Sequence, residues 1–146
     1  MSEIISQITL GADPEIGYIK NGQQVMAYSL LRNTSSGVGL DGHSDISEIR
    51  LKGPVKTPTE IVSEIRGYLK ELNTKLDKNI IVVAGGLAGP DPLGGHIHFG
   101  NTKFRRFQDM HFYGERLDLY LAIPVLILEN TNQARARRQS SYGRLF

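Results

Sequence analysis

The stretch GGHIHFG, residues 94–100, decides the fold because it sets two histidines and two apolar residues in strict alternation. Successive side chains of a β-strand point to opposite faces, so His96 and His98 share one face and Ile97 and Phe99 share the other. The pattern predicts a strand whose apolar pair seals a core while both imidazoles face a cleft. Two imidazoles on one face suit a metal ion or a polyphosphate. The alternative is two surface histidines on a half-buried strand.

An acidic pair stands on an earlier predicted strand, residues 8–19. Asp13 and Glu15 project from one face of it, where a cation between the two carboxylates would relieve their repulsion. Pro14 cannot donate a hydrogen bond to a neighbouring strand, so the strand is an edge or is distorted there. The alternative is a plain turn at Asp13-Pro14 with a solvated Glu15.

Local signals mark several other elements. Asn21-Gly22, between two strand-like segments, predicts a type I′ hairpin. TPTE at residues 57–60 predicts a capping box that opens a helix reaching residue 76. The apolar run 79–84 predicts a central buried strand. The apolar run 116–129 predicts a buried helix that its internal proline kinks. Two helices on a sheet are the expected layers.

Two further groups of charged residues are candidates for chemistry. Glu48 and Arg50 share a face of a predicted strand. In that position Glu48 suits the role of an acidic ligand, and Arg50 suits the binding of an anion. The alternative is an ordinary ion pair that stabilises the fold by less than about 1 kcal/mol. The segment 130–146 carries four arginines and no acid. Arginine suits bidentate recognition of phosphate or carboxylate, and the alternatives are a nucleic-acid-binding arm or a solvated basic tail.

The composition bounds the class of protein. The chain has 146 residues, of which 40% are apolar, enough for one domain with a real core. A net charge of +2 says little about partners, and the absence of cysteine excludes disulfides and thiolate metal sites. No apolar run approaches the roughly 20 residues that span a bilayer, and the N-terminus has no basic region typical of a signal peptide. We therefore expect a cytoplasmic protein without a membrane partner.

The motifs taken together resemble a known family. Their order is an Asp-Pro-Glu strand, Gly-x-Asp-Gly leading to Glu-x-Arg, Gly-Gly-His-x-His-Phe-Gly, a Leu-Asp helix with an internal proline, and Arg-Arg-x-x-x-Tyr-Gly-Arg. This order resembles the phage-type carboxylate–amine ligases, relatives of glutamine synthetase and glutamate–cysteine ligase. The resemblance covers residues 8–145, nearly the whole chain.

The resemblance implies both a fold and an activity. The implied fold class is α+β, a single domain over residues 1–146 whose antiparallel sheet forms a glutamine-synthetase-like half-barrel cleft, with two main helices packed on one face. The implied enzyme uses ATP and Mg²⁺ or Mn²⁺ to phosphorylate a carboxylate, and an amine then attacks the acyl phosphate to form an amide. The expected substrates are small-molecule or peptide carboxylates and amines.

Carried over position by position, the resemblance also implies site residues. Four of them match metal ligands, one histidine matches a position near the nucleotide phosphates or the substrate, and Arg50 accompanies Glu48. Arg137, Arg138 and Arg144 match basic residues expected to hold phosphate or a substrate carboxylate. The implied metal ligands are Asp13, Glu15, Glu48 and His96; the cofactor-binding residues are His98 and Arg137; the catalytic arginines are Arg50, Arg138 and Arg144. Acidic metal ligands and arginines are what phosphoryl transfer needs.

The sequence departs from the family pattern at its end. The pattern continues beyond Tyr-Gly-x-x-Gly into further strands, whereas this sequence ends at Phe146, where a glycine is expected. One expectation is therefore that a second chain or a homo-oligomer completes the site. Another is a non-catalytic, phage-type binding or assembly protein with the ligase-like fold, which would work in the host cytoplasm. Nucleic-acid binding through the arginine segment is a third alternative, although nucleic acid is not the expected partner.

Overall fold

A computed structural model of the chain describes residues 8–32, 37–42, 45–89, 91–102 and 107–124. The chain divides into two units, Met1–Thr102 and Lys103–Phe146. The architecture is the predicted mixed α+β class, with a curled antiparallel half-barrel sheet and two helices. The expectation of one domain over residues 1–146 stays a prediction.

Every strand of the described residues lies in the first unit. These strands are β1 (Thr9–Ala12), β2 (Glu15–Lys20), β3 (Gln23–Val25), β4 (Gly37–Leu40), β5 (Ser47–Arg50), β6 (Ile80–Ala84), β7 (Gly86–Ala88), β8 (Asp91–Leu93) and β9 (Ile97–Gly100). The largest sheet has the order β3-β2-β5-β4, with β6 paired to β2, while β1 pairs with β9 and β7 with β8. All of these pairings are antiparallel.

The predicted first strand is split in two at Pro14. Its first half, β1, pairs with β9, and its second half, β2, is the middle strand of the larger sheet. The expected distortion at the proline is therefore confirmed, because proline lacks the N–H that a continuous ladder needs. As a result, residues 13–15 lie where the two sheets meet.

Two local predictions are confirmed. Asn21 and Gly22 have φ angles of 52° and 77°, which is the positive pair that a type I′ turn between β2 and β3 requires. The first helix, α1 (Pro58–Lys75), begins at the predicted capping box: Thr57 Oγ1 accepts from the Glu60 amide, and the Glu60 side chain accepts from the Thr57 amide. Both signals are short-range, so the sequence alone is enough to place them.

The core of the first unit lies between the larger sheet and α1. Ile16 and Tyr18 of β2 and Ile49 of β5 are buried against Leu72 of the helix. The Tyr18 hydroxyl shares a 2.6 Å hydrogen bond with Ser47 Oγ, so the buried polar groups satisfy each other. Burial raises the pKa of Tyr18 above its ordinary value.

The opposite face of β2 is covered by the β7–β8 hairpin. Ala88 and Leu93 are fully buried there beside Ile46. Gly17 makes this contact possible, because a side chain at this position would collide with the Ala88 methyl group. The glycine-rich segment after β6 is thus a packed hairpin over part of its length.

Two predictions about the strands are wrong in their packing. β6 is a strand, but among the described residues it pairs only with β2, and Ile81 is 63% exposed, so it is not a central buried strand. In β9, Ile97 and Phe99 are 52% and 41% exposed and do not seal a core. Period-2 alternation shows which side chains share a face, but it does not show whether another layer covers that face.

The second unit contains α2 (Phe107–Leu117), which begins nine residues before the predicted start at residue 116. A π-helical turn, Asp118–Ala122, continues it toward Pro124. A proline ring clashes with the carbonyl four residues earlier, and the wider turn relieves this clash. Tyr120 and Leu119 are exposed, so the described part is not the buried helix that was predicted.

No helix in the described ranges is long and apolar enough to cross a membrane.

Candidate active-site cleft

The acidic pair ties the β1–β2 junction to the segment before β9. The Asp13 and Glu15 amides donate to the carbonyls of His96 and Gly94, at 3.2 and 3.0 Å. In return, the Asp13 and Glu15 carboxylates accept from the amides of His96 and Gly94, at 2.7 and 2.6 Å. We call these four hydrogen bonds the carboxylate clasp. The clasp satisfies backbone groups at a break where no regular ladder can run.

Asp13 also orients both imidazoles. Its Oδ2 lies 2.9 Å from His98 Nε2, and its Oδ1 lies 3.2 Å from His96 Nδ1. An ionised carboxylate only accepts, so both of these ring nitrogens carry the proton.

The Asp13 carboxylate, which is 22% exposed, is kept charged by this arrangement. Its partial burial acts to raise the pKa. Hydrogen bonds from the His98 ring and the His96 amide, together with the charge interaction with both rings, outweigh that effect and lower the pKa below its ordinary value of 3.8.

Glu48 and Arg50 form an ion pair on β5, as their shared face predicts. Arg50 Nε lies 2.6 Å from Glu48 Oε1, and Arg50 Nη2 donates to the Leu40 carbonyl at 2.7 Å. Burial raises the pKa of Glu48 above its ordinary value, and the nearby carboxylates of Asp41 and Asp13 add to this effect although Arg50 opposes it.

These two groups border one cleft of about 340 Å³ in the first unit. Its polar lining comes from three separate segments of the chain. The lining residues are Thr9, Leu10, Gly11, Ala12, Asp13, Glu48, Arg50, Leu51, Gly53, Pro54, His98 and Gly100. The fold thus brings together four of the predicted site residues. Glu15 and His96 do not line this cleft.

The described residues do not form a metal site in this arrangement. Among them, no group of three or more His, Asp or Glu side chains is placed to hold one ion. The carboxylates of the predicted set are engaged instead: Asp13 with both histidines, Glu15 with Gly94, and Glu48 with Arg50. In this arrangement the donor set does not fit a bound metal ion, and the predicted metal roles stay predictions.

Sequence reasoning missed one wall of the cleft. Leu51, Gly53 and Pro54 follow β5 and line the cleft, and Val55 next to them forms a bridge with Leu10 of β1. The Gly-Pro step after a strand is a loop signal that could have pointed to this wall. The predicted arginines Arg137, Arg138 and Arg144 lie outside the described residues, and so do their predicted roles.

Comparison with known proteins identifies the family. Residues 10–146 match the model of the family described as phage phiEco32-like COOH.NH2 ligase-type 2. No curated protein matches the chain significantly, and no solved structure does so either. The matched region includes all the residues of the clasp, all but one of the residues that line the cleft, and the arginine segment. The chain therefore belongs to the phage phiEco32-like COOH.NH2 ligase-type 2 family.

Proposed function

We propose that the chain is an ATP-dependent ligase that joins a carboxylate to an amine through an acyl phosphate. The observation that carries the proposal is the cleft, where Asp13, Glu48, Arg50 and His98 meet from three distant segments of a chain of the ligase family. Such convergence of polar side chains on one concave surface is typical of a substrate site.

The proposed reaction has two steps. A carboxylate oxygen of the acid substrate attacks the γ-phosphorus of ATP, ADP leaves, and an acyl phosphate forms. The amine nitrogen then attacks the acyl carbon, the C–O bond to phosphate breaks, and the nitrogen loses a proton to give an amide and inorganic phosphate. Positioning and charge stabilisation supply most of the catalysis in phosphoryl transfer.

The chain's own residues have defined tasks in this proposal. Asp13 holds the His98 ring against the cleft, and Arg50 holds the Glu48 carboxylate, so both polar side chains are pre-oriented. Mg²⁺ or Mn²⁺ would accompany ATP as its counter-ion. We assign no described residue to the cation, because the donor set does not fit one in this arrangement.

Hydroxylamine trapping tests the proposal. The protein is incubated with ATP, MgCl₂, hydroxylamine and a panel of carboxylic acids, and hydroxamate, ADP and phosphate are measured. We expect one acid class to yield the three products in equal amounts, because hydroxylamine captures an acyl phosphate. Glu48→Gln should lower the yield, whereas Glu71→Gln on the exposed face of α1 is the matched control and should not.

Two results would contradict the proposal. AMP and pyrophosphate in place of ADP and phosphate would indicate an acyl adenylate. ADP without hydroxamate for every acid would indicate an ATPase rather than a ligase.

Exposed apolar side chains favour a second candidate function, a non-catalytic binding or assembly protein. Ile97 and Phe99 of β9 are uncovered, and so are Leu119 and Tyr120 in the second unit. Exposed apolar patches often mark partner surfaces. This candidate would be supported if the correctly folded protein gives no hydroxamate with any acid but forms a stable complex with another protein.

A further inference from the structure

We propose that the 340 Å³ cleft is the subsite for the amine substrate and takes a primary ammonium group carrying a short aliphatic chain. The inference rests on the proposed function only in treating this amine as a substrate; the binding itself follows from the described residues. It differs from the metal-ligand role that the resemblance implies for Asp13 and Glu48.

The charges at the polar end favour a monovalent organic cation. Two carboxylates, Asp13 and Glu48, border the cleft together with one guanidinium, that of Arg50. The guanidinium Nε pairs with Glu48, and its Nη2 donates to the Leu40 carbonyl. Among these described lining groups the carboxylates exceed the guanidinium by one negative charge, and an ammonium group supplies one positive charge with three donors.

The other walls of the cleft suit an aliphatic chain rather than a hydrated metal ion. Leu10, Ala12, Leu51 and Pro54 are apolar, and the glycines of the lining expose backbone instead of side chains. A volume of about 340 Å³ lies at the lower end of the range for small-molecule pockets, roughly 300–1,000 Å³. An ion that retains its waters would leave this apolar surface uncovered.

One glycine of the lining allows a steric test. A Cβ at Gly53 meets no atom within 4 Å, and its φ lies outside the left-handed region, so a larger side chain can be added there without backbone strain. Gly53→Leu therefore adds a bulky side chain at the edge of the cleft while the fold is kept. Gly67 of α1 is equally open and does not line the cleft, so Gly67→Leu is the matched control.

The experiment is an NMR titration of the ¹⁵N-labelled full chain without ATP. The probes are n-butylamine, which is protonated near neutral pH, n-butanol of similar size without charge, and MgCl₂ alone. We expect butylamine to shift the amides of Gly11, Gly53 and Gly100 saturably. Butanol should bind at least about tenfold more weakly than butylamine, because it lacks the charge-assisted hydrogen bonds. Glu48→Gln should weaken butylamine binding by a similar factor, and Gly53→Leu should weaken it more than Gly67→Leu does.

Three results would overturn the inference. Equal shifts with butanol would show that binding depends on apolar contacts alone and not on the charge of the ligand. Displacement of butylamine by MgCl₂ at the same amides would show a metal site, and unchanged butylamine affinity in Glu48→Gln would place the amine elsewhere. The titration needs no ATP. A failed titration therefore does not contradict the proposed ligase activity, and a failed hydroxamate assay does not contradict amine binding in the cleft.

Discussion

Asp13 makes more polar contacts than the other acidic residues of the site. Its two oxygens accept from one backbone amide and from two imidazole rings. The sequence predicted an acid with a metal-binding role at this position, and that role stays a prediction. An alternating pattern cannot show which donors from distant segments reach the carboxylate. His96 and His98 are 83 and 85 residues away along the chain, and only the β1–β9 pairing brings them to Asp13.

We predict that Asp13→Asn destabilises the fold in a pH-dependent way. The amide keeps one acceptor oxygen but loses the charge, so we expect a loss of about 1–3 kcal/mol near neutral pH, measured by urea unfolding. Because the folded-state pKa of Asp13 is lowered, its contribution is complete above the ordinary value of 3.8 and is lost as the pH falls through the lowered pKa. The difference between wild type and variant should therefore shrink under acid conditions.

Asp77→Asn is the control for this prediction. Asp77 pairs with Lys20 at 3.1 Å on an exposed surface, where the same change should cost less than about 1 kcal/mol. Equal losses for the two variants at neutral pH would show that the contacts of Asp13 do not stabilise the fold.

At the scale of elements, the local signals predicted the structure and the non-local ones did not. The Asn21-Gly22 turn and the capping box at Thr57 depend on a few neighbouring residues, and both are present. The exposure of Ile97 in β9 and the position of β6 at one side of the sheet depend on which layers cover them. No periodicity in the sequence carries that information.

The carboxylate clasp gives a prediction at this scale. Gly95 has φ of 149°, and a Cβ there would lie 2.8 Å from Pro14 Cα, which is backbone and cannot give way. We expect Gly95→Ala to lower the free energy of unfolding by more than about 1 kcal/mol. Gly67→Ala should instead raise it by roughly 0.5–1 kcal/mol, since Gly67 lies in open space inside a helix. Chemical denaturation measures both, and a stable Gly95→Ala would contradict the close approach at the clasp.

At the scale of the whole molecule, the order of the motifs predicted more than any single motif did. Each short motif is compatible with a plain structural role, and several of them have one, such as Glu15 on the Gly94 amide. Their order along the chain nevertheless predicted the family and the α+β half-barrel, and residues 10–146 match that family. The arrangement within the cleft needed the structure, because Leu51 to Pro54 form its wall without any motif.

The proposals assign different substrates to different parts of the chain, and this division can be tested on the intact protein. Arg137, Arg138 and Arg144 are predicted to hold phosphate or a substrate carboxylate, whereas Glu48 is proposed to hold the amine. MgATP should raise the melting temperature of the wild type, because a ligand that binds only the folded state stabilises it by RT ln(1 + [L]/Kd). Arg138→Ala and Arg144→Ala should lose most of this shift, since each removes a charge-assisted contact to phosphate. Glu48→Gln should keep the MgATP shift.

Arg66→Ala, on an exposed part of α1, is the matched control and should also keep the MgATP shift. If Arg138→Ala and Arg144→Ala melt with the full MgATP shift while Glu48→Gln loses it, the nucleotide binds at the cleft and the proposed division is wrong.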